Sequence, residues 1–149
     1  MPSTPTAREV ARAMYARDRA AQELGVELLE VAHGYARMAM RVRENMLNGH
    51  AICHGGYIFA LADTAFAYAC NADNRVTLAL SCHVSFTAPA AAGDRLVAEA
   101  EEIAAGGRTG VYDVTVRRED GTLIAVFRGQ AYRTRAKLIG EEEASPERR

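Results

Sequence analysis

One stretch of this chain constrains its fold more than any other. From Ala51 to Cys70 the sequence carries a single unambiguous charge, Asp63, among Ile52, Tyr57, Ile58, Phe59, Leu61, Phe66, Tyr68 and interspersed alanines. Such a run has the length of a membrane span. His54, the Gly55-Gly56 pair, the mid-run Asp63 and the lack of a second segment of this kind argue against one, and Asn71, Asp73 and Asn74 close the run as turn residues. The remaining reading is a helix that starts at the glycine pair, is apolar on all sides, and is therefore enclosed by the rest of its own domain.

The flanking sequence supplies what could enclose it. Thr6-Ala-Arg-Glu9 has the form of a capping box, which predicts a first helix from about Ala7 to Asp18. A further turn or two through Leu24 stops at Gly25. Val26–Val31 and Tyr35–Arg43 read as strands around a turn at Ala32, His33 and Gly34. In the second of them Ala36, Met38, Met40 and Val42 alternate with arginines, as in a half-buried hairpin. After the long helix come four more strand-like stretches, Val76–Phe86, Arg95–Ile103, Thr109–Arg118 and Leu123–Arg133, separated by Gly-, Pro- and Asp-containing turns. A sheet of that many strands with one apolar helix to cover curls around it, which gives an α+β fold with a long central helix wrapped by a curved antiparallel sheet.

A chain of 149 residues suits one domain, expected over residues 1–136 and followed by a mobile charged tail over 137–149. Lysine plus arginine number 18 against 19 acidic residues, so nothing in the charge balance points to nucleic acid as an obligate partner. Cys53, Cys70 and Cys82 are odd in number and lack Cys-x-x-Cys spacing, and the first residues hold no apolar secretory stretch. A reduced, cytoplasmic compartment is expected, with no membrane association.

Asp63 needs a chemical reason, because a carboxylate on an enclosed apolar helix costs several kcal/mol in desolvation unless it is paired, solvated or useful. It is either satisfied by backbone amides or an arginine, or it is a catalytic carboxylate whose proton affinity is raised by its surroundings. His54-Gly55-Gly56 at the helix start offers free amides suited to a developing oxyanion. Eight residues separate Gly55 from Asp63, about 12 Å of helix, too far for both to act on one carbonyl within the same chain. If both act together, Asp63 comes from a second copy whose helix runs antiparallel across a two-fold axis, so a homodimer with two interfacial sites is expected. His50 and His54 have helical metal-ligand spacing, yet the glycine pair starts a helix there, and no metal site is expected. Cys82 and His83 are strand neighbours facing opposite ways and make a poor nucleophile pair.

The run Asn48-Gly-His-Ala-Ile-Cys-His-Gly-Gly56 continued through Asp63 to Asn71, together with Gly107-Arg108-Thr-Gly-Val-Tyr-Asp-Val114 and Val126-Phe-Arg-Gly129, resembles the signature of the hotdog-fold acyl-CoA thioesterases. The similarity spans about residues 6 to 134. It implies hydrolysis of an acyl-CoA thioester, phenylacetyl-CoA or a ring-hydroxylated phenylacetyl-CoA, without metal or cofactor and in a homodimer or homotetramer. It further implies Asp63 as the catalytic carboxylate, Gly55 as the oxyanion amide, and Asn48 with His54 shaping the site from the other subunit. Arg108, Thr109 and Gly110 match the strand edge along which related enzymes lay the CoA, with Arg108 meeting a phosphate. Two other classes stay open: a hotdog-fold acyl-CoA hydratase or dehydratase, with His54 and Asp63 as its acid–base pair, and a non-catalytic acyl-CoA-binding protein.

Overall fold

The computed structural model describes residues 4–140. Helix α1 (Ala7–Arg17) starts at the predicted capping box: Thr6 Oγ1 accepts the Glu9 amide and Glu9 Oε1 accepts the Thr6 amide, each at 3.1 Å. Asp18 then ends α1 and caps α2 (Arg19–Leu24) by accepting the Ala21 amide, and Gly25 closes α2 in the left-handed conformation at φ 71°. The second Asp18 oxygen accepts the Tyr68 hydroxyl at 3.2 Å, which ties this helix pair to the central helix.

Strands β1 (Glu27–Ala32) and β2 (Tyr35–Arg41) form the hairpin, and Ala36, Met38, Met40 and Val42 point into the core as their alternation requires. Ala39, on the opposite parity, is buried as well. A short 3₁₀ turn, Glu44–Met46, that periodicity does not announce leads towards the central helix. Helix α3 (Gly55–Asn71) buries Ile58, Leu61, Ala62, Ala65, Phe66, Tyr68, Ala69 and Cys70 against the rest of its domain, whereas Phe59, Ala60, Asp63, Thr64 and Ala67 are only partly buried, so the sheet covers one face and does not enclose the helix on all sides as its apolar run predicts. Asn71 stitches its exit to the next strand: Nδ2 donates to the Ala67 and Thr77 carbonyls, and Oδ1 accepts the Thr77 amide at 2.8 Å.

Strands β3 (Thr77–Phe86), β4 (Arg95–Gly106), β5 (Thr109–Arg118) and β6 (Leu123–Arg133) complete a six-stranded antiparallel sheet of order β1-β2-β4-β5-β6-β3. Strand β4 runs beyond Ile103 because a bulge between Glu102 and Ala104 absorbs one residue and lets pairing continue to Gly106. Strands β2, β4 and β5 carry most of the packing against α3, and the alanines of the helix permit close approach. The tightest approach is at Gly129, where a Cβ would lie 2.7 Å from Phe66 Cζ.

Strand β3 does not pair with β4, its successor. It crosses to the far side of the sheet and pairs with β6 alone, leaving its other edge open among the described residues. That edge carries no lysine, acid or proline, and Leu78 and Leu80 are each 57% exposed. The stretch anticipated as a tail begins anchored, since Ile139 exchanges two hydrogen bonds with the buried Asn74 side chain, each 3.0 Å; residues 141–149 lie outside the described residues.

Candidate active site

The loop that delivers the chain to α3 is ordered by Asn48. Its backbone amide donates to the Ile52 carbonyl at 2.8 Å, and its side-chain Oδ1 accepts the amides of His50 at 2.9 Å and Ile52 at 3.4 Å. Within this loop Ala51 adopts φ 60°, a left-handed conformation costing an alanine about 1–2 kcal/mol, which the surrounding bonds sustain. With Oδ1 committed, the Asn48 Nδ2 donors have no protein partner among the described residues.

His54 caps α3 with its own ring. Nδ1 accepts the Gly56 amide at 3.0 Å, and the His54 backbone amide is held by the Met46 carbonyl at 2.8 Å. A neutral imidazole accepting at Nδ1 carries its proton on Nε2, so a donor remains on the exposed side of the ring. The first turn of α3 therefore has its Gly56 amide occupied, while the Gly55 amide has no partner among the described residues. Phe86, at the end of β3, lies over Gly55: a Cβ there would meet Phe86 Cζ at 2.9 Å. These groups line an open cleft of about 680 Å³ whose walls include Asn48, Cys53, His54, Gly55, Ile58 and Phe86. It sets the Gly55 amide, the Asn48 side chain and the His54 ring beside an apolar wall, the kinds of group that carbonyl recognition uses.

Asp63 lies two turns further along α3 and is not among the residues of that cleft. It is partly buried, accepts no hydrogen bond among the described residues, and burial pushes its carboxyl above the ordinary carboxylate range. It looks instead towards the middle of β3, where its charge adds to burial in raising the Cys82 thiol. Among the described residues neither an arginine nor backbone amides satisfy it, so the structural alternative raised by the sequence finds no partner here.

Arg108, Thr109 and Gly110 lie at the β4–β5 turn, which Gly107 makes at φ 60°. Arg108 is exposed and its Nη1 donates to the Tyr132 hydroxyl at 3.3 Å. Thr109 is an exposed residue paired with Tyr132, whereas Gly110 is buried with room for little more than its hydrogen, a Cβ there falling 3.1 Å from Tyr112 Cε1. Tyr132 also pairs with Leu78 at the start of β3, while Phe86 and Gly55 stand at its end, about 26 Å away along the strand. Within one chain the cleft, the carboxylate and the arginine thus occupy the end, the middle and the beginning of β3.

The segment holding His50 is a loop, so the helical spacing of His50 and His54 has no structural counterpart, and no three metal-ligating side chains converge among the described residues. Cys82 packs inward, opposite Gly129, and His83 faces outward beside Arg128, as strand alternation dictates. No described helix is long and apolar enough to cross a membrane. Phe86 is the lining residue that sequence reasoning passes over; its place beside Gly55 depends on how β3 packs on α3, and only its position as the last aromatic before Thr87-Ala88-Pro89 hints at it.

An amide-ended apolar helix wrapped by an antiparallel sheet is the hotdog thioesterase fold, and the family model described as the thioesterase superfamily matches residues 50–125. The chain belongs to that superfamily and is a thioester hydrolase. Among its relatives, the acyl-coenzyme A thioesterase PaaI of Escherichia coli (strain K12) is 43% identical over 131 residues, 88% of this chain and 94% of the relative. The structure of the E. coli PaaI protein from the phenylacetic acid degradation operon superposes with a TM-score of 0.85 at 42% identity, covering 91% of this chain and 95% of that one. A variant of the phenylacetic acid degradation protein PaaI from Thermus thermophilus gives 0.75 at 40% identity, covering 78% of this chain and 99% of that one.

Proposed function

We propose that this protein hydrolyses acyl-CoA thioesters, phenylacetyl-CoA or a ring-hydroxylated derivative among them, at composite sites formed by two copies of the chain. The observation that carries this reading is the unpartnered Gly55 amide beside a cleft, in a chain whose isolated, desolvated carboxylate stands about 12 Å away along the same helix. The thioester carbonyl oxygen accepts the Gly55 N–H, and the Asn48 Nδ2 and His54 Nε2 donors polarise it from the same side. Asp63 of the second copy attacks the carbonyl or takes a proton from an attacking water. The tetrahedral intermediate then expels the CoA thiolate, which takes up the proton lost by water; on the direct route this leaves an acyl–aspartyl anhydride that a water molecule hydrolyses to the free acid and the Asp63 carboxylate, and neither route needs a metal or cofactor.

The open edge of β3 favours the pairing this requires. A long, uncharged edge strand with exposed leucines is a template for another strand, and antiparallel pairing of β3 with its copy brings the start of one β3 towards the end of the other. Arg108 of one copy then approaches the cleft of its partner, where it meets a CoA phosphate, with Thr109 and Gly110 forming the strand edge beneath it. The assembly is a homodimer or a homotetramer of two such dimers. Three unbridged cysteines accord with a reducing, cytoplasmic setting.

Thiol release measured across a panel of acyl-CoAs tests the reading. Turnover of phenylacetyl-CoA above that of short-chain acyl-CoAs supports it. Hydration of an enoyl-CoA without thiol release would place the protein among the hydratases, and tight binding with no chemistry would make it a carrier.

A further inference from the structure

Phe86 has an unusual position for a half-exposed aromatic. It is 51% exposed at the end of an edge strand, yet the tip of its ring is tucked against the helix start: a Cβ on Gly55 would meet Cζ, Cε2 and Cε1 at 2.9, 3.2 and 3.3 Å. The ring therefore occupies the space that any side chain at position 55 would fill, immediately beside the free amide. Ile58, Cys53, Ala88 and Pro89 line the same cleft as Phe86.

A carbonyl oxygen bonded to the Gly55 amide lies about 3 Å from that nitrogen, in a cleft that Gly55 and Phe86 line together, so the acyl group enters the space that the ring borders. A planar acyl group can lie against the ring face or meet its edge, and such aromatic pairs gain more than their buried area alone provides. An aliphatic chain of equal size gains only the area. Resting on the acyl-CoA hydrolysis proposed above, we infer that Phe86 is a specificity-determining residue: its ring fixes the thioester carbonyl against the Gly55 amide and selects acyl groups that carry an aromatic ring.

The test compares kcat/KM for phenylacetyl-CoA with that for hexanoyl-CoA in the wild type, Phe86→Leu and Phe86→Tyr, with the assembly state of each variant read by sedimentation. Leucine keeps an apolar side chain at the end of β3 but offers no ring, whereas tyrosine keeps the ring. The aromatic-to-aliphatic ratio should fall about three- to tenfold in Phe86→Leu and stay at the wild-type value in Phe86→Tyr, with assembly unchanged in both. Gly55→Ala, which retains the N–H but pushes the ring aside, should lower the same ratio. An unchanged ratio in an active Phe86→Leu enzyme overturns this inference alone. Equal losses on both substrates with a smaller assembly also overturn it, by making Phe86 an interface residue. A wild-type protein that cleaves no acyl-CoA overturns the parent reading and this one with it.

Discussion

His54 Nδ1 accepts the Gly56 amide at 3.0 Å, and that single bond divides the first turn of α3 into an occupied amide and, one residue earlier, a free one. An N-cap side chain reaches the amide of the second or third helical residue and leaves the first open. Here it leaves open the amide that borders the cleft, and it fixes the imidazole with Nε2–H outward.

Two substitutions separate these duties. His54→Ala removes the cap and should lower stability by about 1 kcal/mol, whereas His54→Asn restores a strong capping side chain and should recover most of it. Both remove the outward Nε2–H donor. Thermal unfolding should therefore distinguish the two variants while kcat falls about tenfold or more in each; full activity in His54→Asn would reduce His54 to a cap.

Asp63 sets the expected pH behaviour. Burial raises its carboxyl in the folded chain above the ordinary value of 3.8, so the folded state holds the proton more tightly than the unfolded state. Stability from this group is fully present below the unfolded value and is lost as pH rises through the folded one. Asp63→Asn should abolish that decline and leave the protein level with or more stable than wild type at neutral pH, with kcat lower by about two to four orders of magnitude. In the wild type the acidic limb of kcat/KM should lie above the ordinary carboxylate range. Chemical denaturation and a pH–rate profile measure the two effects.

Gly129 is required by packing alone. A Cβ there would meet three atoms of the Phe66 ring at 2.7 to 2.9 Å, and that ring is buried. Gly129→Ala should destabilise by about 1–3 kcal/mol in urea denaturation, and Phe66→Leu in the same chain should recover part of the loss.

Arg108 tests the CoA assignment. Its exposed side chain forms one hydrogen bond among the described residues, to the Tyr132 hydroxyl, so Arg108→Ala should leave the unfolding temperature almost unchanged. KM for acyl-CoA should rise about tenfold and KM for a short acyl-pantetheine thioester should not, because only the former carries the nucleotide phosphates. Equal effects on both substrates would point to a structural role.

Local chemistry made much of this fold legible. Thr6 and Glu9 announce α1, Gly25 ends α2, Gly55-Gly56 begins α3, and β5 and β6 fall at the residues their alternation and turns predict. What escaped is what depends on distant partners. The move of β3 to the far side of β6, the bulge that lengthens β4, and the burial of Ala39 follow from the sheet as a whole and leave no mark at a fixed spacing. The same holds at the site: Asp63 stood out as the one charge in an apolar run, and its distance from Gly55 followed from helical rise. The contact of Phe86 with Gly55 required the packing of β3 on α3 to be known.

In the proposed assembly each site draws its amide from one chain and its carboxylate from another. Asp63→Asn chains and Asn48→Ala/His54→Ala chains, each strongly impaired alone, can be unfolded together, refolded as a mixture and assayed for thiol release. Random pairing gives mixed dimers in which one of the two composite sites is intact, so activity should return to about a quarter of the wild-type value. If the mixture stays as impaired as its components while sedimentation shows mixed dimers, each site is built within a single chain and the account is contradicted.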